Sequence, residues 1–450
     1  MKFIKTVLTL LISLPLFSQE SFPNNGVKST FSPIYAFTNA HLIISSEKEI
    51  ISGTLLIQDN EIIAADSIVI VPKGSIIIDL KGDYIYPSFI DLYSNYGLAT
   101  PKKGEYSYRP QYESNKEGAY HWNEAIHPEI DAVDRFQYNN KEATNYINSG
   151  FGVVLTHQQN GIARGTACLV SLSNEMEQKS ILSAEIASCF SFRKGVSRQK
   201  YPTSLMGSIA LLKQLFLDSY WHQNSGKTTN LSFNAFNNQL ELPHIFQTNL
   251  LTDYNRIYKI SDEFEIDFIV KGNGMEYQRI EEIKSYEFPI ILPLNFPVKY
   301  EINNPEESDI LTLSKLKHWE TAPFNARILS ENNIDFCFTM SELKKPKDFI
   351  KNLRITIEKG LSKYDALDAL TIVPSTLIGE EERLGSLEKG KKANFIICSS
   401  DIFEDGEIYE NWTNGIQNIV KQKLEIDIRG NYTFNSETEE KNISITGKLS

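Results

Sequence analysis

The chain has 450 residues, of which 41% are hydrophobic and 23% are charged, and this is the composition of an ordinary globular protein. The length is sufficient for one large domain with a smaller accessory domain. The formal net charge of −12 argues against a nucleic-acid partner and against binding to anionic membranes. Beyond the N-terminus, no stretch approaches the ~18 uninterrupted apolar residues of a transmembrane helix, so membrane insertion is not expected.

The first 18 residues have the pattern of a secretory signal peptide. Lys2 and Lys5 precede an apolar run over residues 6–17, which ends at Ser18. This run is too short to anchor the chain across a bilayer, and no cysteine follows Ser18 to carry a lipid. The segment therefore predicts an exported, periplasmic protein.

Residues 33–86 contain short β-type runs separated by turns. Asp59-Asn60 and Lys81-Gly82-Asp83 have the composition of hairpin turns. The pattern predicts a small antiparallel sheet, which we expect to be the N-terminal part of a β-sandwich.

Residues 87–380 alternate between short apolar strands and longer helical stretches. Such alternation over ~290 residues predicts a parallel barrel or a doubly wound sheet. Residues 100–135 interrupt the pattern, because they are rich in Tyr, Pro and Glu, and are interpreted as an insertion. The predicted strands are 89–92, 152–156, 268–270, 290–294 and 336–339, and the predicted helices include 208–220, 254–264 and 348–358.

β-type runs return after the helical region, at residues 393–398, 416–420 and 424–428. We expect residues 381–430 to rejoin the N-terminal sheet and complete one discontinuous domain. Residues 431–450 are predicted to form a terminal hairpin or linker.

The four cysteines are widely spaced, and three of them lie in apolar, strand-like runs. No CxxC pair is present, so a zinc site or a disulfide framework has little support. Buried free thiols are the favoured interpretation for Cys168, Cys189, Cys337 and Cys398.

Two segments resemble the amidohydrolase superfamily. Residues 79–91, which end in Pro87-Ser88-Phe89-Ile90-Asp91, resemble the entry into the superfamily's first barrel strand, and residues 384–395 resemble its exit motif Leu-Gly-Ser-Leu-Glu-x-Gly-Lys-x-Ala-Asp. The likeness is greatest to the exported, imidazolonepropionase-like bacterial branch. It implies an α/β fold, a TIM-type (β/α)8 barrel with a small β-sandwich formed by the N- and C-terminal segments. It also implies hydrolysis of carbon–nitrogen bonds with zinc.

The resemblance also indicates where metal ligands would stand. The family places a His-x-His pair at the end of the first strand, and because residues i and i+2 of a strand point the same way, both imidazoles reach one ion. Here Tyr93 and Asn95 occupy these two positions, and Gln247 aligns with a ligand histidine in the middle of the barrel. A phenol and neutral amides are poor substitutes for imidazoles on zinc. We therefore predict a vestigial metal site with no metal and no cofactor.

A rebuilt site would have to draw on the seven histidines of the chain. His157 is the best candidate, because it ends a predicted barrel strand, and Arg164 follows in a polar loop where it can hold a carboxylate. A hydrogen-bonded structural histidine and a surface arginine remain the more ordinary interpretation of this pair. His121 and His127 lie in the insertion, where a lid or packing loop is favoured over a metal site.

Two functions remain open from the sequence. One is a non-catalytic barrel that keeps the fold and works as a partner of an intact amidohydrolase-like barrel. The other is an active hydrolase that uses a non-standard site on non-peptide C–N bonds or dipeptides. The Tyr93-Ser94-Asn95 segment favours the first, because function must be argued from the site rather than the fold.

Overall fold

The strands of the first sheet come from both ends of the chain. The computed structural model describes residues 32–103, 110–174, 177–225, 228–300, 311–423, 430–435 and 440–446. The predicted signal peptide and the run 424–428 lie outside these ranges. The strands of this sheet are β1 (Ile34–Ile43), β2 (Glu49–Gln58), β3 (Glu61–Asp66), β4 (Ile76–Asp79), β5 (Tyr84–Pro87), β14 (Phe395–Cys398), β15 (Ile408–Thr413) and β16 (Ile416–Ile419).

The order of this sheet confirms the discontinuous domain. The path runs β16-β15-β14-β5-β1-β2-β3, and β4 pairs with β1. The join is the antiparallel ladder between β14 and β5, from Phe395 opposite Pro87 to Cys398 opposite Tyr84. One side of the sheet buries its own apolar cluster, which includes Phe37 and Trp412.

The prediction of a purely antiparallel N-terminal sheet is wrong. The turn Asp59-Asn60 does join two antiparallel strands, β2 and β3. In contrast, Lys81-Gly82-Asp83 links β4 to β5, and both of these strands pair with β1 in the parallel direction. Lys81 and Gly82 have positive φ angles, as turn residues often do, but here the turn passes the chain along β1 instead of folding it back.

The second sheet contains eight strands in consecutive chain order, which confirms the predicted α/β class. Every strand predicted between residues 89 and 339 lies in it. Its strands are β6 (Phe89–Ser94), β7 (Phe151–Thr156), β8 (Ala163–Ser171), β9 (Ile181–Ser191), β10 (His244–Gln247), β11 (Phe268–Lys271), β12 (Ile290–Pro293) and β13 (Phe336–Thr339).

The two ends of this sheet are in contact, as in a barrel. The Thr339 hydroxyl at the end of β13 donates to the Tyr93 carbonyl oxygen of β6 over 3.3 Å. The Met340 amide donates to the carboxylate of Asp91 over 2.9 Å. Alternate residues of the strands, such as Val153 and Leu155 of β7, form a cluster on one face of the sheet, while Val154 packs on the other face in the larger core.

One strand of this sheet departs from the regular alternation of parallel strands and helices. β8 pairs antiparallel with β7 and with β9, whereas the remaining neighbours pair in parallel. The connection from β7 to β8 is therefore a short hairpin rather than a crossover helix. The predicted insertion packs along this strand through isolated bridges, which join Ile126 to Ala163 and Asp131 to Thr166.

The helices follow the strands in chain order, and the predicted helices 208–220, 254–264 and 348–358 are confirmed. The helices are α1 (Asn140–Ile147), α2 (Glu177–Ser180), α3 (Leu205–Ser225), α4 (Leu231–Asn238), α5 (Asp253–Phe264), α6 (Ile280–Lys284), α7 (Leu313–Thr321), α8 (Asn325–Glu331), α9 (Asp348–Glu358), α10 (Lys363–Asp368) and α11 (Ile372–Leu377), with 3-10 turns at Val133–Arg135, Glu276–Arg279 and Ala322–Phe324. Within the described ranges, no helix has the length and apolar character needed to cross a membrane.

The remaining strands form the predicted terminal hairpin. β17 (Gly430–Asn435) and β18 (Glu440–Ile445) pair only with each other among the described strands. The four cysteines are free and buried, as predicted.

Candidate functional site

The reversed strand β8 places a cation at the carboxyl ends of its neighbours. Arg164 is the second residue of β8, and a residue at the start of a parallel strand would lie at the opposite end of the sheet. Because β8 runs the other way, Ala163 pairs with Phe190 near the end of β9. Arg164 therefore lies at the end of the sheet where Tyr93 of β6 and Gln247 of β10 are found. In barrels of this class the carboxyl ends of the strands carry the functional groups.

The Arg164 guanidinium joins three parts of the site. Nη1 donates to the Tyr93 hydroxyl over 3.0 Å, and Nη2 donates to Oε1 of Gln247 over 2.8 Å. Nε donates to the carbonyl oxygen of Gly161 over 3.1 Å, which holds the side chain against its own hairpin loop. The guanidinium therefore links two of the three predicted vestigial metal positions.

All three acceptors of Arg164 are neutral, although the side chain is only 3% exposed. Among the described residues, no carboxylate lies within ion-pair distance of it. Burial raises the pKa of Tyr93, and the positive charge of Arg164 opposes this rise without overcoming it. The phenol therefore stays neutral near pH 7, and none of the described residues places an anion beside the cation.

His157 follows β7 directly and lies beside Tyr93. The ring centroids are 4.7 Å apart, and the planes meet edge to face at 67°. The side chain is fully buried, and neither ring nitrogen has a hydrogen-bond partner among the described residues. Burial lowers the pKa of His157 well below its usual value, and the charge of Arg164 lowers it further, so the imidazole is neutral.

A second buried cation, Lys271, lies at the end of β11. Its ammonium nitrogen is 5.6 Å from the centroid of the Tyr93 ring, and it forms an ion pair with Glu342. Burial lowers the pKa of Lys271, and the partner carboxylate opposes this effect. Glu342 is 39% exposed and also accepts from Asn295, so this ion pair reaches the rim of the site.

The structure brings together most of the predicted site residues. His157, Arg164, Tyr93 and Gln247 form one connected group, whereas the side chain of Asn95 is exposed and outside it. Asn95 follows the last residue of β6, in the turn in which its carbonyl oxygen accepts from the Leu98 amide. The i, i+2 argument therefore does not apply to Tyr93 and Asn95, because the strand ends between them.

The other histidines named from the sequence lie elsewhere. Nδ1 of His121 accepts from the Asn123 amide inside the insertion. In the part of the chain that the structure describes, no three His, Cys, Asp or Glu side chains are grouped closely enough to hold a metal ion.

The reversal of β8 was not predicted, although the sequence contains a signal for it. Two β-type runs, 153–156 and 167–170, are separated by Asn160-Gly161, which is a hairpin-type dipeptide. Gly161 has a φ of +96°, as such a turn requires. Recognition of this hairpin would have moved Arg164 from a surface loop into the site.

Comparison with known proteins places this architecture. A family model described as the amidohydrolase family matches residues 341–406. The crystal structure of an amidohydrolase from Thermotoga maritima MSB8 is similar, with a TM-score of 0.67 and 17% identity over 85% of this chain and 99% of that one. A Xaa-Pro dipeptidase with methionine bound in its active site has a TM-score of 0.50 and 11% identity, over 86% of this chain and 100% of that one.

No curated protein matches the sequence. At these identities the solved structures establish the fold, and the family model supplies the link at the level of sequence. The segment that matches the model begins just after β13 and ends beyond β14, the first of the C-terminal strands that complete the first sheet. Residues 341–406 therefore match the amidohydrolase family by sequence, and the chain shares its fold with amidohydrolases of known structure.

Proposed function

We propose that this chain is an exported, non-hydrolytic member of the superfamily, which binds rather than cleaves and works beside an intact amidohydrolase-like barrel. The observation that carries the proposal is the position of Arg164. Its guanidinium bonds Tyr93 and Gln247, which are two of the three positions that align with ligand histidines in the resemblance.

The donor set does not fit a divalent cation. A neutral phenol and a neutral amide replace imidazoles, and a permanent positive charge already lies between them. A divalent ion held about 5 Å from a guanidinium would be repelled by on the order of 6 kcal/mol at an effective dielectric constant of about 20. No catalytic step through a metal is therefore derived for this chain.

The proposal of a partner rests on what the chain retains. The segments at residues 79–91 and 384–395 keep the form that joins sheet and barrel in the superfamily, although the ligand positions differ. The hairpin of β17 and β18 presents a strand edge, and the side chain of Ile443 in β18 is 48% exposed. Exposed strand edges favour pairing with another chain.

Elemental analysis of the purified full chain tests the absence of a metal. We expect zinc, iron and manganese well below one ion per chain, and no turnover of dipeptides or N-acyl amino acids above a blank. An active amidohydrolase purified in parallel serves as the positive control. About one metal ion per chain, or measurable turnover, would instead support the active hydrolase with a non-standard site.

The variant Tyr93→His with Asn95→His extends this test. We expect no hydrolysis from it, because Arg164 remains between the strands and Asn95 points to solvent. Light scattering with affinity capture tests the assembly. The proposal of a partner would be contradicted if the protein is a monomer and captures no chain with a complete His-x-His motif.

A further inference from the structure

We propose that the Arg164 site binds the carboxylate of a small, singly charged ligand that also carries an N–H group, such as an N-acyl amino acid. The inference rests on the proposed function, because a bound metal would take the place of this ligand. Two features of the described residues carry it, the unpaired charge of Arg164 and the unsatisfied ring of His157.

The first feature is the charge balance at Arg164. A guanidinium has five N–H donors, and the three bonds to Gly161, Tyr93 and Gln247 leave two for another acceptor. A buried cation is costly unless an anion lies beside it, and among the described residues none does. A carboxylate from solution removes this cost, because its two oxygens match the planar guanidinium.

The second feature is His157, whose two ring nitrogens are buried without a partner among the described residues. An unsatisfied buried polar group destabilises the folded chain, so such groups are rare in native proteins. A neutral imidazole offers one N–H donor and one acceptor. The donor suits a second carboxylate oxygen, and the acceptor suits an N–H of the ligand, which is why both groups enter the proposal.

The other charges of the site limit the ligand to one negative charge. Lys271 is already paired with Glu342, so its charge is not free to hold a second anion. The carboxylate of Asp91 lies close enough to Lys271 to influence its pKa and would repel a dianion. Gln247 and Glu342 are only partly buried, so solvent reaches the rim at which a ligand would enter.

The test compares N-acetylleucine with N-acetylleucinamide, which has the same body without the negative charge. We expect N-acetylleucine at millimolar concentration to raise the Tm of the full chain by about 1 °C or more, and the amide to leave it unchanged. Inorganic phosphate in the same assay reports whether any anion suffices. Equal effects of acid and amide, or no effect of either, would overturn the proposal.

Arg164→Gln should weaken N-acetylleucine binding at least about tenfold, because charge-assisted hydrogen bonds are lost. Arg279→Gln is the matched control, since Arg279 is half-exposed and bonds Glu282 on the surface. If Arg164→Gln binds N-acetylleucine as tightly as the wild-type chain does, the ligand binds elsewhere and the proposed site is wrong.

If Arg164→Gln does not fold, the proposed ligand site can still be tested on the wild-type chain. The ring nitrogens of His157, assigned in nitrogen NMR spectra with His157→Gln, should shift with N-acetylleucine and not with its amide, and unmoved signals would reject the site. Metal analysis of the same sample separates the two proposals. About one metal ion per chain would contradict the proposed function. A metal-free protein that does not bind N-acetylleucine would contradict only this inference.

Discussion

At the scale of single residues, Asp91 holds the two ends of the second sheet together. Its Oδ1 accepts from the amide of Tyr93, and its Oδ2 accepts from the amide of Met340 across the junction of β6 and β13. The side chain is fully buried, and burial raises its pKa from 3.8 to about 6 despite these bonds. The carboxyl group therefore links β6 to the end of β13, and its protonation state changes near pH 6.

This pKa predicts a pH dependence of stability. Between pH 3.8 and about 6 the folded chain keeps the proton that the unfolded chain releases, so the free energy of unfolding falls as the pH rises through this window. Across this window the free energy of unfolding should fall by on the order of 3 kcal/mol. Asp91→Asn cannot titrate, so the stability difference between wild type and variant in urea should shrink from pH 4 to pH 7. Parallel curves would contradict the prediction.

The residues of the candidate site were predictable in part. Tyr93 was named from a motif and Gln247 from an alignment of a mid-barrel segment, and the structure brings both to Arg164. The bond of each to Arg164 was not predictable, because it depends on the direction of a strand 71 residues further along the chain in one case and 83 residues away in the other. Asn95 was misplaced because the end of β6 cannot be read to one residue from its sequence.

At the scale of elements, the insertion depends on a glycine at the start of β8. Gly165 has a φ of +81°, and a Cβ there would lie 1.9 Å from the carbonyl oxygen of Ile130. The same carbonyl accepts from the Thr166 amide over 3.0 Å, so the insertion and β8 are in direct backbone contact. This close approach also positions the neighbouring Arg164.

Gly165→Ala is therefore expected to destabilise the chain by at least about 2 kcal/mol more than Gly390→Ala. Gly390 is the matched control, because its φ is +89° and a Cβ would meet nothing within 4 Å. Both substitutions carry the cost of a positive φ, and only the first collides with backbone. Urea unfolding of both variants measures the difference, and cleavage by protease within residues 110–135 should be faster in Gly165→Ala. Equal losses would contradict this account of the insertion.

At the scale of the whole molecule, Asn411 connects the two sheets. Its Nδ2 donates to the carbonyl oxygens of Ile147 over 3.0 Å and Phe151 over 2.8 Å, and its Oδ1 accepts from the Ser88 hydroxyl over 2.8 Å. Asn411 lies on β15 and is fully buried, whereas Phe151 begins β7. One amide of the first sheet therefore bonds the second sheet, α1 and the residue that links β5 to β6.

Asn411→Asp keeps the shape of the side chain and replaces the donor by a carboxylate oxygen that faces two carbonyls. We expect a loss of about 3 kcal/mol or more, because two hydrogen bonds disappear and a charge is buried. Asn224→Asp is the control, since Asn224 is exposed and, among the described residues, its side chain bonds Tyr220 of its own helix. Thermal unfolding of both variants makes the comparison, and a small effect at Asn411 would mean that the sheets do not depend on this contact.

The overall architecture was the most predictable level. Apolar strands and helices repeat with clear periods, and the motifs at residues 79–91 and 384–395 mark the points where the chain passes between the sheets. The reversal of β8 and the parallel pairing of β4 and β5 with β1 were not predicted, because strand direction depends on distant partners. Turn-type residues join two antiparallel strands at Asp59, whereas at Lys81 they connect two strands that both pair in parallel with β1.

The central cation of this site is part of the polypeptide. A guanidinium stays protonated at any physiological pH, and covalent bonds hold it in place. Chelators and dialysis cannot remove this charge from the site. The charge of Arg164 at the carboxyl ends of these strands is therefore set when the chain is translated.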